Sequence, residues 1–303
     1  MGFTIPPVHK YLPLILRQSF GPQRLERIPE PRAITDQPDN VLQYDQVMTT
    51  KLAIAYAVCL ETIYRARPEP FGGAAIDVAC GPGHFSLLMA KELKLDRLVG
   101  VDLSEPMLEV AAKNAREQGR ENVEFRQADA TSLRAFGDNQ FDLATFTDAA
   151  HHLPDLSAVT RVLEELERVT KPTGLICVMD LARLRTAEIT QSYVNLVGQD
   201  YHAQGLGDFY QDFSNSMFAA WTCAQLAETV PANTRRHWYH LRPLGLPTIQ
   251  FLLGVPAQAW RLRPRAAAQE LSSHRLAASA AAELQLLQAS LRIAKPLRIK
   301  GSA

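Results

Sequence analysis

Apolar and polar positions alternate in blocks from about residue 74 to residue 181, and the blocks change period between strand and helix. Ala74 to Ala79 is a short apolar run interrupted only by Asp77, the pattern of a buried parallel strand. Gly81-Pro82-Gly83 then turns the chain, and a helix follows with Phe85, Leu88, Met89 and Leu93 on one face. Leu98 to Val101 predicts a second strand ending on Asp102. Ser104 suits an N-cap and Pro106 the first turn of a helix reaching about Gln118. Asn122 to Gln127 predicts a third strand and Gln140 to Phe146 a fourth. Leu156, Val159, Leu163, Leu166 and Val169 then recur at helical spacing, Lys171-Pro172-Thr173-Gly174 stops that helix, and Leu175 to Met179 supplies a fifth strand. Such alternation implies an α/β, doubly wound parallel sheet that binds its ligand at the carboxyl ends of the strands.

The flanks read differently. Residues 28–44 are rich in proline and turn formers and predict a loop, and a helix is expected from Asp45 to Ala66. Residues 185–221 concentrate Tyr193, Tyr201, Phe209, Tyr210, Phe213, Phe218 and Trp221, well above the 8% aromatic share of the chain, so this segment buries something. Because it follows the fifth strand directly, it predicts a helical lid over the carboxyl-end face, with aromatic walls suited to an apolar or aromatic small molecule or to a sulfonium. A helix over Trp221 to Thr229 and strands over Arg235 to Leu241 and Thr248 to Gly254 complete the sheet. Beyond Pro256 the chain is rich in Arg and Ala, with a helix expected from about 265 to 293. The chain thus divides into an arm (1–44), a core (45–184), the lid (185–221), the rest of the core (222–255) and a tail (256–303).

Charge narrows the partners. Lysine plus arginine and aspartate plus glutamate are equal at 32 each, so no overall field draws the protein to nucleic acid. Cys59, Cys80, Cys177 and Cys223 are scattered without C-x-x-C spacing, as in a reduced, cytoplasmic protein. No apolar run approaches the roughly 18 residues that a membrane span needs. The first 25 residues lack an acid and carry Lys10, Arg17 and Arg24 beside Tyr11 to Leu16, a composition that targeting and membrane-surface segments share. Pro6, Pro7 and Pro13 argue against an amphipathic helix there. The expectation is an arm packed on the domain, with no membrane partner and with self-association through tail or lid left open.

The stretch from Gly81 to Asp102 has the form of a nucleoside site. A turn without side chains lets backbone approach a ligand, a helix N-terminus points at it, and a carboxylate at the tip of the second strand can accept from a ribose diol. A dinucleotide fingerprint requires a third glycine, and Ser86 stands in that place. The stretch Asp77-Val78-Ala79-Cys80-Gly81-Pro82-Gly83 resembles instead the first motif of the class I S-adenosylmethionine-dependent methyltransferases, departing at Ala79, where the family more often has Gly. Asp102-Leu103-Ser104-Glu105-Pro106-Met107-Leu108 is similar to the family segment that packs on adenine. Ala128-Asp129-Ala130 is similar to the place where an Asp accepts from the adenine amine. The resemblance covers about half the chain. It implies a Rossmann-like methyltransferase fold with a mostly parallel seven-stranded sheet, and S-adenosylmethionine as cofactor. Its expected contacts are Tyr44, Asp77, Ala79, Cys80, Gly81, Gly83, Asp102, Leu103, Met107, Asp129, Ala130 and Thr147.

His151 and His152, just beyond the fourth strand, and Asp148 are the candidate catalytic groups, since an imidazole titrates near pH ~6.5 and can take a proton from an activated nucleophile. A His-His-Leu-Pro-Asp-like string also recurs in small-molecule members of the family, where one histidine of the pair is structural. His152, Tyr193, Tyr201, His202, Phe209 and Phe213 are the candidate substrate contacts. No metal is expected. His237 and His240 point to opposite faces of a strand, and neither H-E-x-x-H nor a cysteine cluster occurs, although Asp148 and Asp180 stand where catechol-type relatives hold magnesium. Phe146-Thr147-Asp148-Ala149 lacks the Asn/Asp-Pro-Pro-Tyr string of enzymes acting on adenine or glutamine nitrogen. The reading is therefore methyl transfer to O, N or C of a small, hydrophobic or aromatic metabolite. The alternatives are non-methylating chemistry on the same cofactor (cyclisation or decarboxylation) and a nicotinamide-dependent oxidoreductase.

Overall fold

The computed structural model describes residues 6, 8–30, 38–48, 53–66, 72–243, 247–257 and 297–299. A mixed sheet of eight strands organises them, in the order β3-β2-β1-β4-β5-β7-β6-β8. Strands β1 (Ala74–Val78), β2 (Arg97–Asp102), β3 (Val123–Gln127), β4 (Phe141–Thr147) and β5 (Thr170–Leu181) run parallel. Strands β6 (Arg236–Leu241), β7 (Ile249–Pro256) and the two-residue β8 (Leu297–Arg298) form the antiparallel side. The order reverses between β1 and β4, which leaves a crevice at their carboxyl ends.

The strands are apolar throughout because both faces are covered. Ala75, Leu98, Leu143 and Cys177 enter one core, with Val58, Leu60 and Ile63 of α3 (Ala53–Ala66) and Phe85 and Met89 of α4 (His84–Glu92). Their neighbours Ile76, Val99, Ala144 and Ile176 enter the other, with Val159, Leu163 and Leu166 of α6 (Leu156–Val169). The two-residue period of a strand sorts adjacent side chains to opposite cores. Helix α5 (Glu105–Glu117) starts as expected, with Ser104 Oγ accepting from the Met107 amide at 3.4 Å.

Four expectations are corrected. Lys171–Gly174 is not a turn between helix and strand. It belongs to β5 as an irregularity, where Phe141 pairs with Thr170 but Leu143 pairs with Leu175, and Lys171 reaches Asp142 at 2.9 Å. The sheet has an eighth strand beyond the seven expected. Pro13 does not prevent a helix: it lies in the first turn of α1 (Leu12–Phe20), where its missing N–H has no partner to lose. Helix α2 begins at Pro38 and runs to Met48, so Tyr44 sits within a helix and not in the loop before one.

The insertion after β5 is helical, comprising α7 (Ala187–Gly198), a 3-10 turn (His202–Gln204) and α8 (Gly207–Ala219). A capping box between Thr222 and Gln225 then starts α9 (Cys223–Glu228). The helix expected over 265–293 lies outside the described residues. Among the described residues no single helix is long and apolar enough to cross a membrane.

Candidate active site

One pocket opens where the strand order reverses, about 700 Å³ including its mouth. At one end lies the β1–α4 turn. Ala79 and Gly81 adopt positive φ, +57° and +51°, and nothing lies within 4 Å of where a Cβ on Gly81 would stand, so backbone is open to the pocket there. Gly83 (φ +79°) is needed for another reason: its Cβ would meet the Phe125 ring at 2.7 Å. The Asp102 carboxylate is fixed beside the turn, accepting from the Gly81 amide at 2.8 Å and the Ser104 amide at 2.9 Å. Burial pushes its pKa up, and those backbone donors oppose the rise. Each oxygen keeps a lone pair for a hydroxyl donor.

Helix α2 roofs this end. Asp45 accepts from Asn114 of α5 at 2.9 Å and pairs with His84 of α4 at 2.7 Å, and Asn114 also donates to the Pro82 carbonyl at 3.0 Å. That network brings Tyr44 and Met48 into the pocket wall, beside Tyr56, which stacks on Phe85 at 5.1 Å. Beneath the turn Asp77 is fully buried, accepting from Ser86 and Thr145 hydroxyls at 2.6 Å each. Burial lifts its pKa to about 6.

The other end is built from the loop after β4 and from segments far away in sequence. Thr147, Asp148, Ala149 and His152 line it. Asp148 has φ +50°, a strained conformation for a non-glycine residue, and its buried Oδ2 has no partner among the described residues. Burial and the nearby Asp180 charge push its pKa up to about 7. His151 is buried behind this wall with Nδ1 2.6 Å from Asp180 Oδ1. Burial would lower its pKa, and the Asp180 carboxylate overrides that and lifts it to about 9. His152 Nδ1 pairs with Glu30, which also accepts from Ser216 Oγ of α8 at 2.6 Å. Burial would raise the Glu30 pKa, but the two histidines and Ser216 hold it down to about 2. Burial and the charge on His151 lower that of His152.

Glu30 reaches this wall because Arg27 anchors its segment. The Arg27 guanidinium lies 3.8 Å over the Trp221 ring and donates to the carbonyls of Ala219, His151, Leu153 and Pro154 at 2.7 to 3.1 Å.

Of the expected cofactor contacts, Tyr44, Ala79, Cys80, Gly81, Asp102, Met107 and Thr147 meet in the pocket. Asp77, Gly83, Leu103, Asp129 and Ala130 are not among the residues lining it. Asp77 pins the turn from below, Gly83 packs on β3, Leu103 is 69% exposed, and Asp129 Oδ1 accepts from the Thr131 amide and hydroxyl at 2.8 and 2.7 Å. Of the expected catalytic groups Asp148 and His152 line the pocket and His151 does not.

Of the expected substrate contacts only His152 lines it. Tyr201, Phe209 and Phe213 pack on one another and on Tyr44, with Tyr201 to Phe209 at 5.3 Å and Tyr44 to Phe209 at 4.9 Å. Tyr193 turns to Phe213 and Thr248, and His202 to Tyr210. An insertion outside the main sheet must bury its own apolar side chains, and these aromatics form that small core. Met48, Tyr56 and Glu30 had no sequence signal beyond ordinary apolar or acidic character, and Pro82, Phe85 and Ala149 stood in legible segments without being marked as pocket residues.

A family model described as a methyltransferase domain matches residues 72–240, which carry β1 to β5, nearly all of β6 and the pocket lining apart from Tyr44, Met48 and Tyr56. The chain belongs to the class I S-adenosylmethionine-dependent methyltransferases. Among curated relatives, the chain is 38% identical over 105 residues to YcgJ of Bacillus subtilis, an uncharacterized methyltransferase, across 35% of this chain and 39% of that one. It is 28% identical over 159 residues to a demethylmenaquinone methyltransferase of Staphylococcus saprophyticus, across 52% of this chain and 62% of that one. The chain therefore spans less than two thirds of these relatives. A crystal structure of a methyltransferase from Aquifex aeolicus superposes with a TM-score of 0.51 at 14% identity, over 73% of this chain and 99% of that one, which fits the fold. The pocket suits the family's cofactor: an open glycine turn faces a carboxylate held by backbone amides.

Proposed function

We propose that the protein moves a methyl group from S-adenosylmethionine to a small, hydrophobic or aromatic metabolite. The observation that carries this reading is the single pocket with two unlike ends. Its Gly81–Asp102 end suits a nucleoside, and its Asp148–His152 end presents polar groups across a short apolar wall of Tyr44, Met48, Tyr56 and Phe85. When bound, the cofactor supplies a methyl already activated by sulfonium charge, so the protein's contribution is largely alignment and exclusion of water. Asp102 holds the ribose hydroxyls, and Ala79, Cys80 and Gly81 form the floor beside them. Tyr44 and Met48 of α2 cover the site. Asp148 and His152 face the acceptor and are the groups at which a protonated nucleophile loses its proton. His151 serves behind them, fixing the 3-10 turn against Asp180.

The small-molecule acceptor is favoured by the neutral charge balance, which offers no field for a polyanion. Ser86 weighs against a nicotinamide cofactor, because its hydroxyl is committed to Asp77 where a dinucleotide site wants bare backbone. The test is methyl-labelled S-adenosylmethionine incubated with the protein and a deproteinised metabolite extract. Label appearing in a small product that a Gly81→Asp variant does not make is the expected result. Label remaining wholly in the cofactor, or moving only to polymer, would overturn the proposal.

A further inference from the structure

The acceptor wall holds a side-chain cluster that cofactor binding does not use. One ring nitrogen of His151, one of His152 and a carboxylate oxygen of Glu30 lie within 4.8 Å of one another. The two imidazole rings are 4.1 Å apart, centre to centre. We propose that these three side chains form a site for a divalent cation of the zinc class, completed by the N-terminal segment and open toward the acceptor.

Three features support this. The donor set is two imidazoles and one carboxylate, which is borderline in softness and leaves a coordination position free, as catalytic zinc sites do. The ligands also have outer partners of the kind that orient metal ligands. Asp180 takes Nδ1 of His151 at 2.6 Å, which leaves Nε2 as that ring's coordinating atom, and Ser216 Oγ donates to Glu30 at 2.6 Å. Finally, the open side carries Asp148, whose buried Oδ2 has no partner among the described residues, and His152 itself lines the pocket. Bonds of about 2.1 Å place tetrahedral ligand atoms roughly 3.4 Å apart, so atoms now within 4.8 Å of one another draw together by little more than an ångström at most. In the protein without metal, the proton on His152 Nδ1 bridges to Glu30, and the cation takes that proton's place.

The proposal rests on the methyltransferase reading for its consequence, which is a narrower acceptor class. A cation facing the pocket favours an acceptor with an ionisable oxygen, such as a phenol or enol. With His152 committed to the cation, Asp148 takes the proton as the acceptor's O–H bond breaks, and the anionic oxygen is held at the metal. The same site ties residues 27–30 to the catalytic loop, since Glu30 comes from that segment.

The experiment uses tag-free full-length protein stripped with EDTA and titrated with Zn²⁺ by calorimetry and with Co²⁺ by visible absorption. One equivalent of either metal, with ligand-field bands of a four- or five-coordinate Co²⁺ centre, is the expected result. Glu30→Gln and His152→Gln should each weaken Co²⁺ binding at least about tenfold, and Ser216→Ala by less. Asp102→Ala should leave metal binding unchanged. Absence of the bands, or binding that Glu30→Gln does not weaken, overturns the site. Should Glu30→Gln fail to fold, diethyl pyrocarbonate labelling of the unaltered protein decides. Protection of His152 by Zn²⁺ supports the site, and unchanged labelling overturns it. Calorimetry with S-adenosylhomocysteine on the same samples separates the two readings, because loss of cofactor binding would count against the methyltransferase proposal alone.

Discussion

The two ends of the pocket are made in different ways. Most of the cofactor end comes from one crossover, β1–α4–β2, in which Ala79, Gly81 and Asp102 are brought together by short connections and backbone hydrogen bonds. The acceptor end draws Asp148 and His152 from the loop after β4, Glu30 from the N-terminal segment, Ser216 from α8 and Trp221 from the chain before α9. A local end can be held rigid by the turn itself. An assembled end depends on the docking of every segment that contributes to it. Conservation of cofactor chemistry with freedom in the acceptor is what such a division permits.

The largest effect should come from the local end. Asp102→Ala removes the proposed acceptor of the ribose hydroxyls and leaves the amides of Gly81 and Ser104 to water. The expected cost is about 3 kcal/mol, or roughly 100-fold, in affinity for S-adenosylhomocysteine by calorimetry. An affinity within threefold of the unaltered protein would mean that the nucleoside is held elsewhere, and the contrast between the ends would collapse.

Asp77 tests how the local end is pinned from below. Its folded pKa of about 6 lies above the ordinary 3.8 because the carboxyl is buried, and its two hydroxyl donors offset only part of that. Below pH 4 both folded and unfolded chains carry the proton and nothing is lost. Between pH 4 and pH 6 the unfolded chain ionises first, so stability falls as pH rises, and above pH 6 the loss is constant. The full loss is about 3 kcal/mol. Asp77→Asn lacks this titration. Its stability relative to the unaltered protein, from urea unfolding, should therefore improve by up to that amount between pH 4 and pH 7. A difference that stays flat across this range would show that the carboxyl is ionised in the folded state.

The same division explains what could be read from the sequence. The turn, Asp102 and Met107 were legible because their roles follow from local spacing: glycine for positive φ, an acid at a strand tip, a cap and a proline opening a helix. Asp77 was legible as special, but its burial beneath the turn was not, since sequence shows that an acid sits in an apolar strand but not which way the strand's two faces point. Asp129 was legible as an acid just past β3, and what the spacing did not show is that its Oδ1 caps the turn at Thr131. The insertion after β5 was legible as helical and rich in aromatics, but the packing of Tyr201, Phe209 and Phe213 on each other, outside the pocket lining, was not. Glu30 and Arg27 lie more than 120 residues from the histidine pair, 122 for Glu30 and 124 for Arg27, and no pattern links them. Long-range placement of single polar residues is decided by tertiary packing, which local periodicity does not encode.

Arg27 is where the assembled end should come apart on its own. Arg27→Ala removes four hydrogen bonds to carbonyls and the contact over Trp221, and so releases Glu30 from the histidine wall. About 2 kcal/mol of stability should be lost, a fall of roughly 4–8 °C in Tm by calorimetry. Affinity for S-adenosylhomocysteine should stay within about twofold, because none of these contacts touches the glycine turn. Equal losses in stability and cofactor affinity would show that the two ends are one cooperative unit.

The smallest effect concerns Ala79, where the family more often has glycine. Its φ of +57° costs an L-residue about 1–2 kcal/mol that glycine does not pay, whereas glycine loses about 0.4–1 kcal/mol more backbone entropy on folding. The first effect outweighs the second, so Ala79→Gly should stabilise the protein by about 0.5–1 kcal/mol, raising Tm by roughly 1–4 °C. Because Ala79 lines the pocket beside Gly81, the change adds space at the cofactor end and none at the acceptor end. A stabilised variant with unchanged metal titration would confine the strain to the local end. A destabilised one would show that the Ala79 methyl, packed against the core of β1 and β4, contributes more than its backbone angle costs.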